Sequence, residues 1–321
     1  MHQIEDTLQA IRLGRPRRFE SLTMFPLFGP PAEEPHRHYR LLEDAFSDGD
    51  VEVTEVSEAG HVPELLLINR GEVPVLLLDG EELVGAKQNR VLNVTVLAPP
   101  GETRLPVSCV EAGRWSWRRR GFRPAGRTQF AEARAQKLAQ VSANRRSGFG
   151  QARADQEAVW SSIASKARRM GVHSETGAMA DLFESYERDI EDYVAALVPE
   201  PGQVGALFAM GRRVTGLDLF DHPDTLARSL AKLVRSQALD AIEQRARVQS
   251  RDGGFADAWG FLERVAGSDV TSFPSPGLGE DVRLEGERVR GSALVWKGCT
   301  LHLVAFDLPH SGVSTRKRRG H

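Results

Sequence analysis

One short stretch carries most of the residues that could do chemistry. Residues 76–93 read LLLDGEELVGAKQNRVLN, an apolar run followed at once by polar and charged side chains. Between the apolar residues 76–78 and 91–92 lie three carboxylates, two cations and two amides, namely Asp79, Glu81, Glu82, Lys87, Arg90, Gln88 and Asn89. Charges at the edge of a core are costly unless they are paired or have a function. We therefore place the candidate site in this stretch.

The carboxylates suit acid–base chemistry. A carboxyl group among apolar neighbours has a raised pKa, which a general acid needs. Glu81, Glu82 and Glu111 are the predicted catalytic residues. Glu81 and Glu82 point to opposite sides if the chain is extended there. The alternative is an internal network in which the carboxylates neutralise Lys87 and Arg90, because structural ion pairs perturb charges as active sites do.

A second segment is expected to meet the first. Glu111, Arg114 and Trp115 follow a predicted strand at 103–110, which we expect to pair with the strand at 91–98. Hairpin geometry then returns the segment toward residues 87–90. Arginine binds phosphate and an indole ring stacks on a base, so the combination is typical of a nucleotide site. The predicted ligand-binding residues are Asp79, Lys87, Gln88, Asn89, Arg90, Arg114 and Trp115. The alternative is a solvated basic loop whose indole covers the edge of the core.

Several other chemistries lack support. Residues 80–88 resemble a phosphate-binding loop, but the lysine comes one residue late and Gln88 replaces the Ser or Thr that would hold magnesium. Neither HExxH nor CxxC occurs, so we predict no metal site. Cys109 is one of two scattered cysteines, and a structural role is favoured over a nucleophile. No cofactor is assigned from the residues.

The elements that position this site begin with a β-rich segment. Hydrophobic residues make up 40% of the 321-residue chain and charged residues 27%, as in globular proteins. Residues 19–112 predict six or seven short antiparallel strands, in a sandwich or barrel-like lobe. A first strand is expected at 19–28, and a hairpin turn at 69–72 after the strand at 65–68. No run approaches ~18 apolar residues, so no transmembrane helix is predicted.

Helices are expected in the middle of the chain. The piece that starts at 128 has only a weak apolar stripe, and we expect it to be mobile. Residues 177–197 predict one amphipathic helix, because apolar residues recur there at steps of three and four. A second hairpin is expected at 204–220. A long helix capped by Asp221 should follow it.

The C-terminal part should contain a loop at 267–281 and three strands, at 282–285, 291–296 and 300–306. The predicted fold class is α+β, with a β-rich antiparallel N-terminal lobe, a helical middle and a C-terminal α+β portion. The predicted division is 15–125 for the lobe that carries the site, 126–200 for the helical segment, 201–310 for the α+β portion packed on the rest, and 311–321 for a disordered basic tail.

The chain resembles a bacterial domain family through three strings of residues. They are DGEELVGAKQNR at 79–90, PVSCVEAGRW at 106–115 and GLDLFD at 216–221. The family is named for its association with ADP-ribosylglycohydrolase and rhodanese-phosphatase proteins, and the likeness covers roughly residues 10–310. The resemblance implies a role in NAD or ADP-ribose metabolism. It supplies no catalytic residues.

The resulting hypothesis is that the protein handles an ADP-ribose-like or NAD-derived metabolite, by binding and, if it is an enzyme, by hydrolysis or transfer. The competing hypothesis is a non-catalytic binding or scaffold protein that docks a partner enzyme, with the charged cluster as a structural network. The partners implied are a small nucleotide-derived ligand and, by resemblance, ADP-ribosylglycohydrolase or phosphatase proteins. A net charge of −2 argues against nucleic acid. The expected location is the cytoplasm, without a membrane.

Overall fold

A computed structural model describes residues 2–30, 37–57, 63–116, 121–149, 151–245 and 257–308. The predicted basic tail at 311–321 lies outside the described residues. In chain order the strands are β1 (Arg12–Leu13), β2 (Arg17–Phe19), β3 (Leu22–Phe28), β4 (Arg40–Leu41), β5 (Val51–Glu55), β6 (Glu64–Asn69), β7 (Val75–Leu77), β8 (Glu81–Gly85), β9 (Arg90–Leu92), β10 (Val96–Ala98), β11 (Gly101–Cys109), β12 (Phe122–Thr128), β13 (Gln203–Met210), β14 (Arg213–Phe220), β15 (Asp269–Pro274), β16 (Glu280–Glu285), β17 (Val289–Trp296) and β18 (Cys299–Asp307). The helices are α1 (His2–Gln9), α2 (Leu42–Ser47), α3 (Ala131–Asn144), α4 (Gln156–Met170), α5 (Met179–Ser185), α6 (Glu187–Ala196), α7 (Pro223–Gln244) and α8 (Ala258–Ala266), and a π-helical turn, Arg145–Phe149, follows α3.

Six strands close into a barrel in the order β11-β6-β5-β12-β8-β9. All of these pairs are antiparallel. Closure leaves no free sheet edge, which explains why such short strands are stable together. Beside the barrel, β10, β7 and β4 form a small sheet in which β7 pairs antiparallel with β10 and parallel with β4.

Nine strands form a larger antiparallel sheet in the order β1-β3-β13-β14-β18-β17-β16-β15, with β2 also paired to β3. Strand β13 is buried along its whole length. Its consecutive residues Leu207 and Phe208 point to opposite faces of the sheet and belong to different hydrophobic clusters, so both faces are covered. Helix α7 packs on one face, and α1 and α8 pack on the other. A separate apolar cluster fills the barrel.

The predicted α+β class is confirmed, and the predicted barrel-like lobe is a closed barrel. The hairpin predicted at 204–220 is also present, as β13 and β14. The division at 15–125, 126–200 and 201–310 stays a prediction. Among the described residues, no helix is long and apolar enough to cross a membrane.

Two predicted strand arrangements were wrong, and a third was right only in part, because β9 at the start of the strand predicted at 91–98 pairs with β11 while β10 at its end pairs with β7. The turn at 69–72 does not make a hairpin between β6 and β7, because β5 and β11 already occupy both edges of β6. Instead β7 joins the small sheet. We also expected β3 to belong to the N-terminal lobe, but it pairs with β13 in the large sheet.

Two of the longer strands were missed. Strand β12 falls between the segment of Glu111, Arg114 and Trp115 and the helical piece predicted from 128, and strand β15 falls within the predicted loop at 267–281. Strand β15 lies at the edge of its sheet and is mostly exposed, so it needs few apolar residues to form. Its polar sequence therefore resembles a loop.

The helices also differ from expectation. The helix predicted at 177–197 is divided at Tyr186, whose hydroxyl donates to the Met170 carbonyl at the end of α4 (2.7 Å). The cap of α7 is His222, which accepts from the Asp224 amide, while Asp221 accepts from Tyr39. Helix α3, expected to be mobile, is largely buried.

Candidate functional site

The loop that joins β8 to β9 fixes the first half of the site. Gly85 has φ +150°, and a Cβ there would lie 2.3 Å from the Gly121 carbonyl oxygen of the neighbouring chain segment. Ala86 follows with φ 38°. The left-handed backbone turns the chain sharply, and only glycine permits the close approach at Gly85. The turn brings residues 87–90 to one end of the barrel.

The segment after β11 meets this loop. The Gln88 amide donates to the Glu111 carbonyl (2.9 Å), and the Asn89 backbone amide donates to the Glu111 carboxylate (3.2 Å). Arg114 donates to the same carboxylate (2.7 Å). The structure therefore brings together residues predicted from two stretches. We call Lys87, Gln88, Asn89, Arg90, Glu111, Arg114 and Trp115 the barrel-end cluster.

Arg114 holds the backbone of the loop in place. Its Nη1 donates to the carbonyls of Ala86 and Ser116 (2.8 Å each), and Nη2 donates to the Asn89 side chain (3.3 Å). Burial alone would raise the pKa of Glu111, but Arg114 and the Asn89 amide outweigh it and lower that pKa. Glu111 is therefore a fixed anion that orients the loop.

Trp115 is the accessible part of the cluster. It is 49% exposed, and the Lys87 ammonium and the Arg90 guanidinium lie 5.2 and 5.9 Å from its ring centre. Lys87 is buried apart from a small exposed fraction, and Arg90 is completely buried. Lys87 and Arg90 beside the half-exposed indole of Trp115 make a surface that attracts an anion with an aromatic part.

Arg90 is tied to the barrel wall. It donates to the Gln88 carbonyl and side-chain oxygens (3.2 Å each), and it lies 3.7 Å from the Glu55 carboxylate at the end of β5. Burial lowers the pKa of Arg90. Cys109 lies beside this group and donates to the Gln88 side chain (3.1 Å), and burial raises the pKa of its thiol. A buried thiol of raised pKa is a poor nucleophile.

Asp79 has its partners on helix α3. Its two carboxylate oxygens accept from Arg134 (2.9 Å) and Lys137 (2.6 Å), both fully buried. Burial alone would raise the pKa of Asp79, but Lys137 and Arg134 lower it. The predicted ligand-binding role of Asp79 stays a prediction, and its observed contacts are with these two cations.

The same arginine links Asp79 to the large sheet. Arg134 donates twice to Asp218 (2.7 and 3.1 Å), which also contacts His302 (3.0 Å). His302 contacts Thr95 (2.8 Å), whose hydroxyl accepts from the Asp79 amide (3.1 Å), and the ring of contacts closes. Burial would raise the pKa of Asp218, but Arg134 and His302 lower it to about 2.

Glu81 pairs with a lysine of helix α7. Lys232 donates to Glu81 and also to Glu43, and the other Glu81 oxygen accepts from the Leu78 amide (2.8 Å). Burial raises the pKa of Glu81 to about 7, and Glu43 adds to the rise although Lys232 opposes it. A carboxyl group that titrates near neutrality suits proton transfer.

Glu82 points to a different partner. One of its oxygens accepts from Arg127 of β12 (2.5 Å), and the other, buried Oε1, has no hydrogen-bond partner among the described residues. Burial raises the pKa of Glu82 despite Arg127. Arg127 lies over the Phe183 ring (5.2 Å) and lines a cavity of about 260 Å³ with Phe183 and Glu184.

The predicted site residues therefore separate into groups. The barrel-end cluster contains seven of them, while Asp79, Glu81 and Glu82 each pair with a cation outside it. Their roles in binding or catalysis stay predictions. A possible cation site of Glu132, Asp240 and Glu243 lies elsewhere, but Lys166 and Arg169 already pair with its carboxylates.

Comparison with known proteins assigns the chain to a family. The family model of the ARG and Rhodanese-Phosphatase-superfamily-associated Protein domain, ARPP-1, matches residues 10–306. The chain belongs to the ARPP-1 family. Searches of curated proteins and of solved structures gave no match. The ARPP-1 domain is by its description associated with ADP-ribosylglycohydrolase and rhodanese-phosphatase proteins, which is a coarse link to ADP-ribose.

Sequence reasoning missed several residues that shape the candidate site. Glu55, Arg127 and Thr176 complete it, with Thr176 donating to Glu111 (3.1 Å). Arg127 and Thr176 lie in stretches of mixed polar composition, and Glu55 ends an ordinary strand. No spacing links them to residues 79–90, so only the fold could identify them.

Proposed function

We propose that the protein binds a nucleotide-derived anion of the ADP-ribose class at the barrel-end cluster. The observation that carries this proposal is the half-exposed Trp115 ring in contact with the cations Lys87 and Arg90. A base stacks on such a ring, and phosphate groups are attracted to the cations beneath it. The family's association with ADP-ribosylglycohydrolase proteins supports the same ligand class.

The cluster divides into accessible and supporting residues. Trp115 and Lys87 are the groups that a ligand reaches first, while Arg90 supplies buried positive charge. Gln88 and Asn89 are buried and engaged with Glu111, so they position the loop and meet only a ligand group that penetrates it. Arg114 keeps the loop in shape. Asp79 lies outside the cluster. Its carboxylate accepts from Arg134 of α3, so it supports the site indirectly by holding that helix beside the barrel.

The binding test uses ADP-ribose and calorimetry on the full chain. Trp115→Ala should weaken ADP-ribose binding by about tenfold or more, because loss of a stacking platform costs about 1–3 kcal/mol per base. Trp259→Ala is the matched control, since Trp259 is also exposed (54%) but lies on α8. Equal affinity in the Trp115→Ala and wild-type proteins would refute the stacking site.

Lys87 offers a second comparison. Lys297 lies 4.4 Å from the Trp296 ring, so it repeats the lysine–tryptophan contact away from the cluster. Lys87→Ala should weaken ADP-ribose binding, and Lys297→Ala should leave it unchanged, because the nearby Arg90 and Arg114 strengthen only the first site.

If the protein is an enzyme, hydrolysis or transfer of such a metabolite is the reaction we propose, with Glu82 as the first candidate acid. Its raised pKa and free buried oxygen support that role. Glu81, whose pKa is also raised, is the other candidate acid, and Glu111, which keeps its charge, is a candidate base. Glu82→Gln should reduce turnover of ADP-ribose or NAD by about 10²-fold or more while leaving the circular dichroism spectrum unchanged. Full turnover in this variant would exclude Glu82 from catalysis.

A specific observation also favours the competing function, a non-catalytic binding or scaffold protein. Asp79, Glu81, Glu82 and Glu111 are each paired with a cation of the same chain, as in a structural network. In that case an ADP-ribosylglycohydrolase or phosphatase protein would be the partner, and a cytoplasmic location remains part of the proposal. Co-purification of a family-associated enzyme without ADP-ribose binding would favour the scaffold.

A further inference from the structure

A second cavity lies away from the barrel-end cluster and is rich in arginine. It has a volume of about 250 Å³ and opens between β6, β11, the π-helical turn and the connection from β15 to β16. Arg104, Arg145 and Arg153 line it, together with one carboxylate, Glu64. Arg104 donates to Glu64 (3.1 Å), so that carboxylate already has a cation beside it.

Behind Arg145, which lines the cavity, lies an excess of buried positive charge. Arg145 and Arg283 are 4% and 3% exposed, and both contact the same oxygen of Asp281, at 2.9 and 2.8 Å. Asp281 is itself 4% exposed. Two guanidinium groups thus share one carboxylate in a place where an unbalanced charge is costly.

Two buried donors of Arg283 also lack an acceptor, in addition to the excess of positive charge. Its Nη2 donates to Asp281, but its Nε and Nη1 have no hydrogen-bond acceptor among the described residues. Burial lowers the pKa of Arg145, and repulsion from Arg283 adds to the effect although Asp281 opposes it. Arginine stays protonated under such conditions, so the positive charge persists and an anion would relieve it.

Local structure fixes Arg145 toward the cavity. Helix α3 ends at Asn144 and continues as a single π-helical turn that starts with Arg145. Its guanidinium lies over the Phe273 ring (5.4 Å) and donates to the Pro274 carbonyl (3.3 Å). A π-helical turn is rare and is frequent at functional sites. Arg153 lies on the other side of the turn and is exposed, with no carboxylate in contact among the described residues.

We propose that this cavity binds a small tetrahedral oxyanion, either free phosphate or the terminal phosphate group of a metabolite. Arg145 and Arg153 contact the anion, and Arg283 with Asp281 sets the charge behind it. Guanidinium groups match the geometry of phosphate oxygens. The site is independent of the barrel-end cluster and of the function proposed there.

The test is titration of the full chain with inorganic phosphate, followed by calorimetry. We expect saturable binding at one site. Arg153→Ala, an exposed change that spares the core, should raise the dissociation constant about tenfold, because it removes a charged hydrogen-bond donor. Arg146→Ala is the matched control: Arg146 lies next to Arg145 in the π-helical turn but pairs with Glu285, so its loss should change the constant less than about twofold.

Asp281→Asn should change the affinity for phosphate in the opposite direction. Removal of the one shared carboxylate should tighten phosphate binding and increase the rise in melting temperature that phosphate causes. Competition by a phosphate monoester would assign the terminal phosphate of a metabolite, and its failure would assign the free anion. No saturation by about 10 mM phosphate would overturn the site. Equal dissociation constants for phosphate in Arg153→Ala and Arg146→Ala would also overturn the site. A loss of phosphate binding in Lys87→Ala alone would overturn it too, because it would place the anion at the barrel-end cluster.

Discussion

At the scale of single residues, burial decides what each carboxylate of the 79–82 stretch can do. Asp79 meets two cations and keeps its charge, whereas Glu81 shares one lysine with Glu43. The result is a lowered pKa for Asp79 and a pKa of about 7 for Glu81. Although the two groups are only two residues apart in sequence, Asp79 is ionised at neutral pH while Glu81 titrates there.

The raised pKa of Glu81 predicts a pH dependence of stability. Its folded-state pKa of about 7 exceeds the usual 4.5, so the folded state binds the proton more tightly than the unfolded state does between these values. Stability should therefore fall as pH rises through this window, by on the order of 1–3 kcal/mol, and then level off. Urea unfolding at several pH values measures the slope.

Glu81→Gln should remove most of that slope, because the amide does not titrate. Glu43→Gln is a second informative variant. It removes the negative charge near Glu81 and lowers the pKa of Glu81, so the pH range over which stability falls should move to lower pH. An unchanged slope in Glu81→Gln would assign the pH dependence to other groups.

At the scale of elements, the loop between β8 and β9 depends on close backbone contact. Gly85 combines φ +150° with a hypothetical Cβ only 2.3 Å from the Gly121 carbonyl, so the barrel strands leave no room for a side chain. The loop carries the amides and cations of the barrel-end cluster. Its shape is thus set by the neighbouring strand as much as by its own sequence.

Gly85→Ala should destabilise the barrel and weaken ADP-ribose binding together. Gly101→Ala is the control, because Gly101 also has positive φ (+99°) but no atom lies within 4 Å of the added Cβ. We expect Gly101→Ala to lower the free energy of unfolding by about 1 kcal/mol, and Gly85→Ala to lower it by about 1–3 kcal/mol more than that. Equal unfolding free energies would mean that the backbone at Gly85 relaxes freely.

At the scale of the whole molecule, Arg134 of α3 joins the two β structures. It pairs with Asp79, which precedes barrel strand β8, and with Asp218 in the large sheet. We expected α3 to be mobile because its apolar stripe is weak. Buried ion pairs with satisfied geometry hold the helix instead, so hydrophobic periodicity underestimates its anchoring.

Arg134→Met should cost about 3–5 kcal/mol in unfolding free energy, because it removes the cation that two buried carboxylates share and leaves Asp79 with Lys137 and Asp218 with His302 alone. Arg169→Met is the control for a change of the same kind in a partly exposed pair, with an expected cost below about 1 kcal/mol. Chemical denaturation followed by circular dichroism compares them. Similar costs would show that the Arg134 network contributes little.

The sequence by itself determined the fold class, an antiparallel lobe that was either a sandwich or barrel-like, the hairpin of β13 and β14, and the approach of Glu111 and Arg114 to residues 87–90. These follow from alternation, turn residues and hairpin geometry, which act over short distances along the chain. Only the tertiary structure decided the partners of Asp79, Glu81 and Glu82. Those partners lie 45 to 151 residues away, on α3, β12 and α7. Ion pairs between distant elements leave no periodic signal, because they depend on where whole elements pack. The packing also set the excess of buried positive charge around Arg145 and Arg283, since neither residue has a distinctive neighbour in sequence.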